Sequence, residues 1–285
     1  MIAAEYGSRV IATPLRDWLY RDDRWIEAVQ SAVMGIAGPR VSRPRIALIG
    51  RSKDESGYYL KMFPQWGSIN VPGDWGRGKD YGSHALDATA VRTGLFDRGV
   101  VDGVGIRVMD MLMKYLATDE GRRMRDEWAF ARDYRATHDA GQYHRNNVTA
   151  DAVVLQAGHV LMVRRGARPG KGMLALPGGH VGRKEHPTDA ALRELREETR
   201  LKVPEAVLRG SIIDKRWFDD PYRSDLCRTY TKAVLIRLTG EAGKLAKVRG
   251  GDDAAHALWV PLSELKESEC FDDHWHIVDK FVGLG

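Results

Sequence analysis

The 285-residue sequence holds two cysteines, Cys227 and Cys270, too few for a disulfide framework and in keeping with a reducing cytoplasm. It has no apolar run near the ~18 residues that a membrane-spanning helix needs, so no membrane partner is expected. Its first residues lack the charged-then-apolar build of a secretory leader. Internal repeats and low-complexity tracts are absent as well. Nor does one sign of charge dominate: 44 Lys and Arg against 39 Asp and Glu leave a net charge of +5, and the basic residues are scattered. No nucleic-acid partner is expected from that pattern, whereas a small anionic substrate suits it. The 43% hydrophobic and 29% charged content is that of an ordinary globular protein. The length suggests about two domains.

The stretch from Gly178 to Leu201 carries the chemistry. A glycine loop, Gly178-Gly179-His180-Val181-Gly182, runs into a segment with helical period. At about 100° per residue, Glu194, Glu197 and Glu198 share one arc of that helix. Thr188, Leu192, Leu195 and Thr199 form a neighbouring stripe that can face a core, and Arg193, Arg196 and Arg200 take the remaining arc. Three acids this close repel one another unless a cation sits among them. Mg2+ takes a few carboxylates and completes its shell with water and phosphate oxygens. The residues alone thus suggest a magnesium platform for a phosphorylated substrate. The plainer alternative is a solvated acidic helix face.

This stretch resembles the Nudix box, G-x5-E-x7-R-E-U-x-E-E-x-G-U with U apolar. Gly179, Glu185, Arg193, Glu194, Leu195, Glu197, Glu198 and Leu201 fall on the pattern, and Arg200 stands where the family has glycine. That glycine closes the helix in a left-handed conformation, which costs any other residue roughly 1–2 kcal/mol. The resemblance implies that Glu194, Glu197 and Glu198 carry Mg2+, with Mn2+ as the substitute cation, and that the Gly179 carbonyl is a further ligand. It implies that Glu185 and Arg193 pair to hold the loop on the helix. The general base it leaves open between a box glutamate and an acid on a later loop. Asp252 and Asp253, just before the apolar run 256–260, are the loop candidates, against a plain acidic turn.

In the first half, Trp25 to Met34, Asp87 to Phe96, Ile106 to Leu116 and Arg122 to Arg132 have helical period, and Arg45 to Gly50 reads as a buried strand. Their alternation predicts a parallel-sheet α/β unit. Gly50-Arg51-Ser52-Lys53 through Trp66, with Pro14 to Tyr20 upstream and Ala88-Thr89-Ala90-Val91-Arg92 downstream, looks like part of bifunctional nicotinamide mononucleotide adenylyltransferase/Nudix proteins. No H-x-G-H motif occurs in the chain, and its first histidine is His84. The resemblance therefore implies a truncated adenylyltransferase domain with little or no adenylyl transfer, in which Tyr58, Tyr59, Phe63 and Trp66 serve as core and docking aromatics.

The expected architecture is α/β: a partial Rossmann-like nucleotidyltransferase domain over 1–137, a polar linker over 138–147, and a Nudix α/β/α sandwich with a mixed sheet over 148–285. Asp151 to Val163 reads as a β-hairpin turning at Ala157-Gly158. In the segment 217–231 the resemblance implies substrate contacts: Arg223 and Arg228 on phosphates, Phe218, Trp217 or Tyr222 on adenine, and Thr229 beside them. The alternative there is a hairpin with surface arginines and a core aromatic. Asp272-Asp273-His274-Trp275-His276 reads as an acid-capped helix start rather than a metal cluster. The function implied is Mg2+-dependent cleavage of ADP-ribose or a related nucleoside diphosphate derivative. Two alternatives remain: a bifunctional protein that also makes NAD, if the true start lies upstream, and a sensor that binds ADP-ribose without cleaving it. A homodimer is compatible with either.

Overall fold

A computed structural model describes residues 10–38, 45–50, 59–70, 88–101, 103–138, 146–239, 244–249 and 254–284. The chain forms two compact units, Met1–Asp110 and Met111–Gly285.

In the first unit, helix α1 (Asp22–Ala37) opens on two acids, Asp22 and Asp23, which suit the positive end of the helix dipole. Strand β1 (Ala47–Gly50) pairs in parallel with β2 (Gly67–Asn70), Ala47 opposite Gly67. This is the expected strand, but it is not buried: Ile49 is 59% exposed, because a two-strand ribbon leaves its faces largely to solvent. The core aromatics are placed as expected where they are described. Phe63 is buried, stacked on Trp66 at 4.8 Å and tilted against Trp25 at 5.7 Å. Helix α2 (Ala88–Thr93) carries the Ala-Thr-x-x-Arg element and widens into a π turn over Gly94–Arg98. Tyr58 and most of the preceding glycine segment lie outside the described residues.

The boundary between the units falls within α3 (Ile106–Leu116). Helix α4 (Asp119–His138) consequently belongs to the second unit, whereas the sequence groups it with the first. The physical reason is a set of polar ties to a loop of the second half: Arg168 to Asp126 at 2.9 Å and the Gly170 amide to Glu127 at 3.3 Å. Of the expected linker, 139–145 lie outside the described residues, and Asn146 already begins the next strand.

That strand, β3 (Asn146–Gln156), is the axis of a mixed sheet. It pairs antiparallel with β4 (His159–Arg165), through a two-residue turn in which Ala157 and Gly158 both have positive φ, the hairpin geometry their sequence predicts. Short strands β5 (Leu174–Ala175) and β6 (Gly178–His180) pair with β4 and β3. Helix α5 (Pro187–Thr199) and the short α6 (Glu205–Gly210) follow, then β7 (Ile212–Phe218) antiparallel to β8 (Arg228–Arg237), which runs parallel to β3. β9 (Ala254–Pro261) closes against β4, and α7 (His274–Val282) ends the chain. From Ala150 to Gln156 every residue of β3 is buried, the apolar run 152–155 and the polar Asp151 and Gln156 alike, as in a strand covered on both faces. Alternate residues Ala150, Ala152 and Val154 pack with Val234 and Ile236 against Ala190, Ala191, Leu192 and Leu195 of α5. The apolar stripe expected on that helix is thus its core face.

Arg200 does close α5 in the left-handed region, at φ 47°, with its amide on the Arg196 carbonyl at 2.9 Å. Arg200→Gly should therefore raise stability by roughly 1 kcal/mol, the left-handed penalty less the extra freedom glycine has when unfolded. The denaturant midpoint of the second unit reads this, and a lowered midpoint would contradict it.

Candidate functional site

β6 brings two glycines against places where no Cβ fits. At Gly178 a Cβ would strike the Asp151 carboxylate and the Ala150 carbonyl, and at Gly179 it would strike the Glu194 carboxylate. The glycines are thus required by close approach, and the approach sets Glu194 and Glu198 of α5 against the loop. The Gly178 amide donates to Glu198 Oε2 at 3.1 Å. Burial pushes the Glu198 carboxyl up to about 7; Glu194 and Asp151 add repulsion, while the Gly178 amide and Arg165 oppose it. Asp151 itself is buried and accepts from the Thr231 hydroxyl.

Arg193 sits on the outer side of this group. Its Nε and Nη2 grip Glu185 at 2.9 and 3.0 Å, and the Gly182 amide donates to the same carboxylate at 2.9 Å. The Arg193 guanidinium holds the Glu185 carboxyl below the usual carboxylate range. This pair joins the loop to the helix. Arg193 Nη1 also reaches Glu194 Oε1 at 2.8 Å and Glu197 Oε2 at 3.0 Å. Glu197 lies on the outer side, its side chain 48% exposed. The three helix acids are therefore divided: Glu194 and Glu198 face inward and Glu197 faces solvent. Among the described residues no three acidic, histidine or cysteine side chains converge as a ready-made metal site.

Inside lies a cavity of about 570 Å3, within the usual range for small-molecule sites. Gly179, Glu194 and Glu198 form part of its wall, together with Asp151. Other lining groups escape sequence reasoning. Arg165, at the end of β4, stacks over Phe271 at 4.0 Å and gives its Nε to the Pro169 carbonyl at 2.7 Å. Burial lowers the Arg165 guanidinium pKa, against support from Asp272 and Glu198. Asp272 also lines the cavity; burial and the neighbouring Asp273 push its carboxyl up to about 7, against Arg223. His274 is kept neutral by burial, and its Nδ1 accepts from the Leu176 amide at 2.7 Å. The signal for Arg165 was the basic glycine-rich loop it opens; for Asp272 and His274 it was the acidic run before the last helix.

The substrate contacts expected in 217–231 are scattered. Thr229 lines the cavity. Arg223 does too, but its guanidinium is committed to Asp273 by two bonds of 2.9 Å. Asp273 accordingly does not cap α7. Arg228 lies over Tyr230 at 4.7 Å, and neither Arg228 nor Phe218 is among the lining residues. Phe218 is in the core, 5.8 Å from Phe281, because β7 turns it inward. Asp252 and Asp253 lie outside the described residues.

Comparison with known proteins gives four findings. The NUDIX domain model matches residues 145–281. A nicotinamide/nicotinic acid mononucleotide adenylyltransferase of Acinetobacter baylyi is 39% identical over 69 residues, 24% of this chain and 35% of that protein, so the chain covers about a third of that relative. An ADP-ribose pyrophosphatase of Methanocaldococcus jannaschii is 29% identical over 135 residues, 47% of this chain and 72% of that one. Among solved structures, a bifunctional NMN adenylyltransferase/ADP ribose pyrophosphatase from Francisella tularensis, complexed with AMP and a Mn ion, superposes with a TM-score of 0.82 at 27% identity, over 97% of this chain and 79% of that one.

Proposed function

We propose, from the premise that residues 145–281 of this chain are a NUDIX domain, that it hydrolyses the phosphoanhydride of a nucleoside diphosphate derivative, ADP-ribose foremost. One observation carries the reading: a single cavity sets the carboxylates of Glu194 and Glu198 and the guanidinium of Arg165 around one space. The names of the relatives point the same way, one an ADP-ribose pyrophosphatase and one complexed with AMP and a Mn ion.

The residues fit a hard divalent cation. Burial first, and then Glu194 and Asp151 beside it, push the Glu198 carboxyl up to about 7; the two acidic neighbours are the part of that shift which favours a positive charge. We assign the cation as Mg2+, with Mn2+ as the substitute, to Glu194, Glu197, Glu198 and the Gly179 carbonyl; Glu197 joins by exchanging Arg193 for the ion. When bound, the cation polarises phosphoryl oxygens and lowers the pKa of a water. Arg165 is positioned by Phe271 and Pro169 to bind the diphosphate. Glu198, Asp272 and the loop acids Asp252 and Asp253 are the groups assigned to take the proton of the attacking water, whose oxygen ends on one of the two monophosphates. A cysteine count too low for a disulfide framework supports the cytoplasm as its location. Among the described residues no helix is long and apolar enough to cross a membrane.

The full chain incubated with ADP-ribose and Mg2+ should yield AMP and ribose 5-phosphate, with none formed in EDTA and activity restored by Mn2+. If a panel of nucleoside diphosphate derivatives survives intact with both cations, the reading falls. A second reading, that the chain also transfers an adenylyl group, is favoured by the 39% identity to an adenylyltransferase over 69 residues. NAD formation from nicotinamide mononucleotide and ATP is its assay.

A further inference from the structure

We propose that Phe130 and Tyr134, on helix α4 and outside the NUDIX match, form the wall on which the base of the substrate stacks; this rests on the hydrolase reading above. Four-residue spacing puts Asp126, Phe130 and Tyr134 in one stripe of α4, with Glu127 beside it. The polar end of that stripe grips the loop after β4, through Asp126 to Arg168 and Glu127 to the Gly170 amide. Its aromatic end lines the cavity. A helix as polar as α4 has little apolar surface to bury, so ion pairs and hydrogen bonds, not a hydrophobic face, fix its position.

The rings lie 6.4 Å apart with 29° between their planes, stacked on one another. Phe271, the other aromatic of the cavity, already has the Arg165 guanidinium over its ring at 4.0 Å. Trp217 and Tyr222, the aromatics that sequence reasoning assigned to the base, are 50% and 87% exposed and do not line the cavity. The cavity thus carries both charged groups, Glu194, Glu198 and Arg165, and the aromatic rings of α4. A ligand joining a diphosphate to a flat heterocycle matches both kinds of group. The specificity element for the base comes from a helix that precedes the catalytic domain.

The test uses the full chain with Phe130→Ala, Tyr134→Ala, Phe130→Leu and Phe130→Trp. Calorimetry in EDTA with AMP reads base binding without any turnover. The Ala and Leu variants should weaken AMP about 5- to 100-fold, the worth of one stacked ring, and Phe130→Trp should restore it. In Mg2+, KM for ADP-ribose should rise by a similar factor, while turnover of ribose 5-diphosphate, which has no base, stays unchanged. Phe130→Leu keeps apolar bulk, so it separates loss of the π face from loss of the helix. AMP binding unchanged in the variants, or equal losses on both substrates, would overturn the assignment. A parent chain that binds AMP through these rings yet cleaves no diphosphate would instead sink the hydrolase reading.

Discussion

Glu198→Gln should lower kcat for ADP-ribose by about 100- to 1,000-fold in saturating Mg2+, the cost of removing one preorganised charge from a reaction centre. Glutamine keeps an oxygen for the Gly178 amide, which donates at 3.1 Å, so the loop and helix stay joined and the loss reports on charge. The same substitution should make the cation-free protein more stable. The Glu198 carboxyl is pushed from 4.5 up to about 7, chiefly by burial. A carboxyl raised in the folded state contributes stability that is complete below about pH 4.5 and is lost as pH climbs through 7. In EDTA the parent should therefore weaken between pH 4.5 and 7 by on the order of 2 kcal/mol, after allowance for the solvent that reaches the group, and Glu198→Gln should flatten that slope. Adding Mg2+ at pH 8 should stabilise the parent and leave the variant nearly unmoved, because cation binding requires the deprotonated carboxylate. Equal melting shifts in both proteins would remove Glu198 from the cation site.

This opposition of activity and stability shows why the site could be read from sequence only in part. The acids of α5 were legible because helical spacing is local: 194, 197 and 198 must share an arc whatever the rest of the chain does. The Glu185–Arg193 pair was legible for the same reason, loop and helix being adjacent in sequence. What spacing could not reveal was that Glu197 turns outward while Glu194 and Glu198 line the cavity. The far walls were harder still. Arg165, Asp272 and His274 are brought to the cavity by strand pairing and by the return of the last helix, contacts across roughly a hundred residues that no periodicity encodes. The exposed β1 failed differently: an apolar run shows that a segment can be buried, not that neighbours exist to bury it. For α4, high polarity and heptad-free spacing suggested only a helix, and its attachment to the second unit depended on individual ion pairs.

Breaking the Arg223–Asp273 pair should be the most damaging single change to the second unit. Both side chains are almost wholly buried, 6% and 1% exposed, and the pair is bidentate at 2.9 Å. Removing one partner leaves the other charge in the interior without its bidentate partner, a cost of roughly 3–5 kcal/mol. Asp273→Ala and Arg223→Ala should each lower the denaturant midpoint accordingly. Arg223→Lys should recover little, since an ammonium cannot reproduce the planar fork. The double variant Arg223→Met with Asp273→Leu should regain most of the loss, because burying two apolar groups of similar size carries no charge penalty. Activity should not return with it. Asp272 and His274 flank Asp273 and line the cavity, with Asp272 at φ 44°, a strained conformation for a non-glycine residue that the pair beside it helps to hold. The double variant thus separates two roles in one residue: stability recovers when charge is removed in balance, while the cavity wall recovers only with the salt bridge. Single variants that unfold within about 1 kcal/mol of the parent would show the pair to be solvent-screened, and Arg223 would return to the list of phosphate ligands.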